Sequence, residues 1–208
     1  MVTVEADVDQ VERRLAAGEL SCPACSGVLA GWGWARPRQL RGPDGPVWLC
    51  PRRSRCTGCG VTHVLLPVAA LLRRADVAVV IVAGLAARAV RRVGFRRIAA
   101  ELARPAETVR GWLRRFGERA EAVRSVFTVW LRVVDADPVM PEAAGSGFAD
   151  AMMAIAALAA AIGRRFVLST VSLAETAVAV SGGRLLAPGW PGPVVQHEST
   201  LPPAPITP

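Results

Sequence analysis

The 208-residue chain contains no lysine, no asparagine and no tyrosine, so all 25 of its basic side chains are arginine. The three missing residues share A/T-rich codons, which points to a G/C-rich genome and assigns part of the arginine excess to codon bias. Long apolar runs are lacking as well. The best candidates for a span, the uncharged and mostly apolar residues 77–87 and 151–163, hold 11 and 13 residues, against the roughly 18–20 that a bilayer span needs. The N-terminus is acidic and has no apolar signal core, which argues against export. Only two histidines occur, at 63 and 197. No serine-centred elbow, phosphate-loop glycine pattern or HExxH run accompanies them, and the chain reads as a non-enzyme. With 52% hydrophobic residues it is too apolar to be disordered throughout. These features describe a cytoplasmic protein without a membrane segment, made of one domain or two small ones.

The net charge of +8 is unevenly spread. Residues 1–35 carry two arginines against five acids, residues 36–124 nineteen against six, and residues 125–208 four against six. Codon bias would distribute arginine evenly, whereas here it is concentrated in the middle. A polyanion-binding segment has this signature, and an ordinary solvated basic surface fits the charge alone equally well.

Four of the five cysteines form two pairs, Cys22-Pro-Ala-Cys25 and Cys56-Thr-Gly-Cys59, thirty residues apart. Two residues between thiols let both sulfurs point inward from one tight turn and fill two corners of a tetrahedron around Zn²⁺. A second such turn closes the site, so Cys22, Cys25, Cys56 and Cys59 are the expected ligands of a structural zinc. Disulfides and a CxxC redox pair are the alternatives. A reducing cytoplasm disfavours the first, and no thioredoxin-like strand–helix–strand pattern surrounds either pair. Cys50 reads as a buried free thiol and His63 as a local hydrogen-bonding group; each could also be a ligand. Between the pairs, residues 28–34, 37–41 and 47–55 read as short strands interrupted at Gly42-Pro-Asp-Gly45, a zinc ribbon. Trp32, Trp34 and Trp48 are expected to pack over this sheet, with an aromatic nucleic-acid platform as the other reading.

After Pro67 the texture turns helical, first over residues 68–90. Ile98 and Leu102 then share one face of a short helix, and Pro105 suits the first turn of the next. In that helix Val109, Trp112 or Leu113, and Phe116 fall on one side, with Arg110 and Arg114 on another. Two short helices in this arrangement predict a helix-turn-helix, the second helix lying in a DNA major groove. Glu107, Arg110 and Arg114 are the candidate base readers. Arg96, Arg97, Arg104, Thr108 and Arg115 are placed for phosphate. Ala103 occupies the turn position where glycine is usual, which predicts a differently built turn. An αα-hairpin with incidental arginines is the plainer alternative.

Residues 118–134 continue helically, with Ala122, Val126, Val129 and Val133 near one stripe. A linker at 135–147 precedes an apolar helix at 148–162, which predicts burial or pairing with a second copy of the chain. Residues 172–180 form a last short helix. Seven prolines from Pro188 onward predict an extended or disordered tail. The expected class is mainly α with a small β zinc ribbon. Its parts are an acidic segment (1–19), the ribbon (20–66), the helix-turn-helix domain (67–134), the linker (135–147), C-terminal helices (148–187) and the tail (188–208).

The order of CPxC, strands, CxxCG, Thr62-His-Val-Leu-Leu-Pro67 and helix-turn-helix resembles the N-terminal half of certain insertion-sequence transposases over residues 20–116. There, a zinc ribbon and a helix-turn-helix read the element's terminal repeats ahead of a DDE catalytic domain. More closely, most of the chain resembles short actinobacterial proteins of unknown function that share THVLLP, IAAxLxRPxxTVRGWLRRF and a tail like Ser181-Gly-Gly-Arg-Leu-Leu-Ala-Pro188. The resemblance implies double-stranded DNA as partner, with a transposase partner and a nucleoid location in view. It carries no activity over, because no room remains for a ribonuclease-H-like sheet. The acids after residue 124 (Asp135, Asp137, Glu142, Asp150, Glu175 and Glu198) form no catalytic triad. The competing expectation is a protein-interaction module with structural zinc and solvated arginines.

Overall fold

A computed structural model describes residues 1–192. The chain begins with a short strand, β1 (Val2–Val4), and a helix, α1 (Val8–Ala16), capped by the Asp7 carboxylate on the backbone N–H groups of Asp9 and Gln10. Four further strands, β2 (Leu29–Trp34), β3 (Arg38–Arg41), β4 (Pro46–Leu49) and β5 (Arg52–Cys56), lead to β6 (Thr62–Pro67). One sheet has the order β1-β6-β5-β2, with β1 parallel to β6 and the other pairs antiparallel; β3 and β4 form a separate hairpin. The single strand expected over 47–55 is thus two. Pro51 has no N–H to donate, and the chain changes sheet at Cys50-Pro51.

Residues 1–19 are part of the ribbon rather than a separate segment. Val4, Val11 and Leu15 are buried with Leu20, Leu29, Leu65, Cys22 and Cys56 in one small cluster. The acids of this stretch neutralise arginines: Glu12 receives Arg52 at 2.6 Å and Glu5 receives Arg14 at 2.9 Å.

The helical part comprises α2 (Ala78–Arg91), α3 (Phe95–Glu101), α4 (Ala106–Gly117), α5 (Ala120–Val134), α6 (Gly147–Phe166) and α7 (Leu173–Ser181). The class is therefore helical with a small β part. Residues 68–77 are not helical, contrary to expectation. Their backbone groups are committed elsewhere: Arg41 N–H donates to Ala75 O (2.7 Å), Val77 N–H to Arg41 O (3.2 Å) and Leu72 N–H to Gly183 O (2.8 Å). A helix here would have to break those bonds, and buried backbone groups are rarely left unpaired. The helix starts only at Ala78.

Along α4, Val109, Trp112 and Phe116 are buried, as their spacing predicts, and Arg110 and Arg114 are exposed. Pro105 stands at the N-cap, one position before the expected first turn. Ala103 adopts a left-handed φ of +51°, so the turn keeps the backbone shape a glycine would give and alanine bears the strain. Along α5 the expected stripe is wrong by one position. Val123, Phe127 and Leu131 are buried, while Val129 and Val133 face outward. The larger Phe and Leu side chains remove more apolar area from water than the valines would.

The apolar helix α6 is capped by the Ser146 hydroxyl and runs along α5. At 20 residues and mean hydropathy 1.4 it is long and apolar enough to cross a membrane, which the count of uncharged residues did not anticipate. Eight of its residues, among them Met152, Ile155 and Leu158, are buried in the protein interior. Met153 is exposed.

After α7, residues 182–187 strap back across the loop 68–77. Gly183, at φ +73°, is required there: a β-carbon would come within 2.5 Å of Leu66 Cδ2. Leu185 and Leu186, within the strap, are buried. Of the expected extended tail, residues 193–208 lie outside the described residues.

Candidate metal centre and arginine face

The two CxxC turns meet at the end of the four-stranded sheet. Register pairs Leu29 with Cys56 across β2 and β5, which sets the second turn beside the first. The sulfurs of Cys22, Cys25, Cys56 and Cys59 all lie within 4.8 Å of one another. Cys22 and Cys59 are 3.8 Å apart and Cys25 and Cys56 3.4 Å. A metal ion held by four thiolates at about 2.3 Å needs sulfur–sulfur edges of about 3.8 Å, so the cluster fits a structural metal. Gly27 lies close against the cluster: a β-carbon would sit 3.1 Å from Cys56 Sγ and 3.3 Å from Cys25 Sγ, tighter than ordinary contact.

The thiols do not titrate independently. The backbone N–H of Cys59 donates to Cys56 Sγ at 3.5 Å and, with Cys25 adding its hydrogen bond, pulls that thiol down to about 6 against the effect of burial. At Cys25 the Gly27 N–H favours the thiolate, but the crowding of the Cys56, Cys59 and Cys22 sulfurs pushes the thiol up to about 12. Neighbouring sulfurs cannot all ionise unaided, and a bound dication removes that penalty.

His63 is buried beside the centre. Its Nε2 lies 3.4 Å from Cys22 Sγ and its Nδ1 accepts from the Met1 ammonium at 3.1 Å. Burial, and then the ammonium charge, holds its pKa below the usual histidine value. A neutral ring donating Nε2–H to the sulfur matches this pairing and orients Cys22. Cys50 is a free thiol outside the cluster, and it is exposed rather than buried. The expectation for the tryptophans is also corrected. Trp32, Trp34 and Trp48 are 51%, 49% and 71% exposed, because the sheet is too small to cover them. The Arg55 and Arg52 guanidinium groups stack over Trp32 and Trp34 at 4.9 and 5.0 Å from the ring centres.

The arginine-rich helices form a second candidate region. Arg110 pairs with Glu107 at 3.2 Å and Arg114 with Glu118, just past the end of α4, at 2.9 Å; all four are exposed. Arg96 is exposed, near the Phe95 ring, and Arg97 pairs with Glu101 at 3.2 Å. Arg104 differs from the others. Its Nε meets Asp76 at 2.7 Å, where the two side chains are 10% and 2% exposed, and its remaining nitrogens bond the carbonyls of Leu102, Ala103 and Gly42. Those bonds tie Arg104 into the interior, and its expected role on a phosphate is withdrawn.

Thr108 and Arg115 stand instead on one wall of a cleft of about 540 Å³ between α4 and the loop 68–77. The loop brings Arg73 and Arg74 to the opposite wall, with Arg41 at the edge. None of these three was among the expected site residues. The signal available was the Arg73-Arg74-Ala-Asp76 charge cluster within a stretch whose composition reads as helical. No family model, curated protein or solved structure matches the chain.

Proposed function

We propose that this protein binds double-stranded DNA without catalysing a reaction, with α4 as the recognition helix and a structural zinc holding the ribbon. The observation that carries the reading is α4 itself. One face, Val109, Trp112 and Phe116, is buried, and the opposite face presents Glu107, Arg110 and Arg114 to solvent. The short α3 precedes it, across a turn with Ala103 in the left-handed conformation. Arginine reading guanine in the major groove is the commonest specific contact, and a carboxylate can accept from cytosine. Arg96, Arg97, Thr108 and Arg115 then serve the backbone, where charge supplies affinity without sequence information. The four-sulfur cluster favours zinc, whose tetrahedral thiolate sites are closed and structural. On this reading the chain is an accessory factor or regulator of the kind its resemblance to transposase DNA-binding halves implies.

Fluorescence anisotropy with random-sequence and selected duplexes tests the reading. Affinity should fall steeply with salt, and the Arg110→Ala, Arg114→Ala double variant should bind its selected duplex at least about tenfold more weakly. Absence of binding to any duplex at low salt contradicts it. A second reading, a partner-binding ribbon with solvated arginines and no DNA binding, draws support from the exposed Trp32, Trp34 and Trp48; it predicts no binding to any duplex even at low salt.

A further inference from the structure

The cleft beside α4 has more positive charge than its acids can balance. Asp76 is already committed to Arg41 at 2.6 Å and Arg104 at 2.7 Å, and Glu107 to Arg110. Arg73, Arg74 and Arg115 have no carboxylate partner among the described residues. The protein holds the Arg74 guanidinium in place without neutralising it. Arg74 donates one NH2 to Leu186 O at 2.6 Å, and the neighbouring Arg119 donates to Ala187 O at 2.6 Å, both on the C-terminal strap. The Arg74 Nε is buried and has no hydrogen-bond partner. Burial first, then Arg115 and Arg119, hold the Arg74 guanidinium below its ordinary pKa. Arg73 sits in the left-handed region at φ +57°, a conformation that is strained for a side chain of its size. The N-terminus of α4, which adds Thr108 to the wall, has no side-chain cap.

A buried donor without an acceptor costs free energy, and like charges gathered at one place need a counter-charge. We propose that this cleft binds a phosphate group, with Arg73, Arg74 and Arg115 as its ligands and the Thr108 hydroxyl as a fourth donor. Guanidinium groups match the oxygens of a phosphate in paired, charge-assisted hydrogen bonds. The phosphate is supplied either by a DNA backbone or by a free phosphorylated molecule. The site stands whether or not α4 reads bases, because none of its three arginines belongs to the base-reading face.

The test is an NMR titration of the full-length, metal-loaded protein, labelled at arginine nitrogen, with inorganic phosphate against chloride at equal ionic strength. The Nε–H signals of Arg73, Arg74 and Arg115 should shift saturably with a Kd of about 1 mM, while that of the exposed Arg36 stays put. The Arg73→Ala, Arg115→Ala variant should bind at least about tenfold more weakly with unchanged metal content and circular dichroism. Arg115→Lys, which keeps charge but loses the fork, should fall between the two. Unsaturable shifts, shifts shared with Arg36, or full affinity in the double variant overturn the proposal. Competition then separates the sources. Phosphate that displaces a labelled duplex assigns the cleft to the DNA backbone. Phosphate that binds alongside a duplex, or binds when no duplex does, assigns it to a free phosphorylated molecule, and the last result refutes the DNA reading while leaving the cleft intact.

Discussion

The ribbon and the helical part solve the problem of stability in different ways. The ribbon buries eight residues in its own cluster, and two of them, Cys22 and Cys56, belong to the sulfur site. The helical cluster buries thirty, including Phe116, Phe127, Ile81 and Leu85. A core of the first size cannot repay the entropy of ordering its chain, and such units need a metal or a disulfide. A core of the second size can. The boundary is nevertheless shared: Leu40 of the hairpin and Leu66 of β6 are members of the helical cluster. The fold is thus one body with two sources of stability, and the arginine cleft lies where they join.

The largest expected break in this comparison comes from Cys56→Ser. It should abolish stoichiometric metal binding and cost the ribbon on the order of 10 kcal/mol of coupled binding and folding, measured by metal analysis and circular dichroism. The helical signal should persist in part. Phe127→Ala makes the opposite cut. It should destabilise the helical part by about 3–5 kcal/mol in denaturant titrations and leave the metal content at one equivalent; loss of metal as well would mean that the two parts fold only together. A gain is expected at the turn between α3 and α4. Ala103→Gly should stabilise the protein by about 0.5–1 kcal/mol, because glycine adopts positive φ without strain at the cost of some chain entropy.

The smallest effect concerns acid. Hydrogen bonds from Arg91, with Arg97 assisting, hold the Glu101 carboxyl below its ordinary value of 4.5. A depressed folded pKa means that the contribution is present above 4.5 and is lost as pH falls through the lower folded value. Glu101→Gln should therefore lower Tm at neutral pH, and the gap to the unaltered chain should narrow as pH falls below 4.5.

The sequence made the sulfur site legible because ligand spacing is local chemistry: two residues between thiols dictate a turn, whatever surrounds it. The buried face of α4 was legible for the same reason, since Val109, Trp112 and Phe116 follow helical period. What the sequence concealed depends on long-range partners. Residues 68–77 have helical composition, yet Arg41, Arg104 and Gly183, distant in the chain, hold them in another shape. Arg104 could not be distinguished from its neighbours until Asp76 was seen beside it. The tryptophans were assigned to a core by their size, and the narrow sheet offers them none. On α5 two apolar stripes compete, and only the packing of α6 selects the one bearing Phe127.

The central claim is that a metal holds the ribbon while the helical part stands on its own core. Hydrogen exchange on the full-length protein, with and without a zinc-specific chelator, tests it directly. The account predicts one equivalent of metal at the start and, after chelation, lost protection across residues 20–66 with α5 and α6 still protected. Unchanged protection in the ribbon after complete metal removal would contradict it.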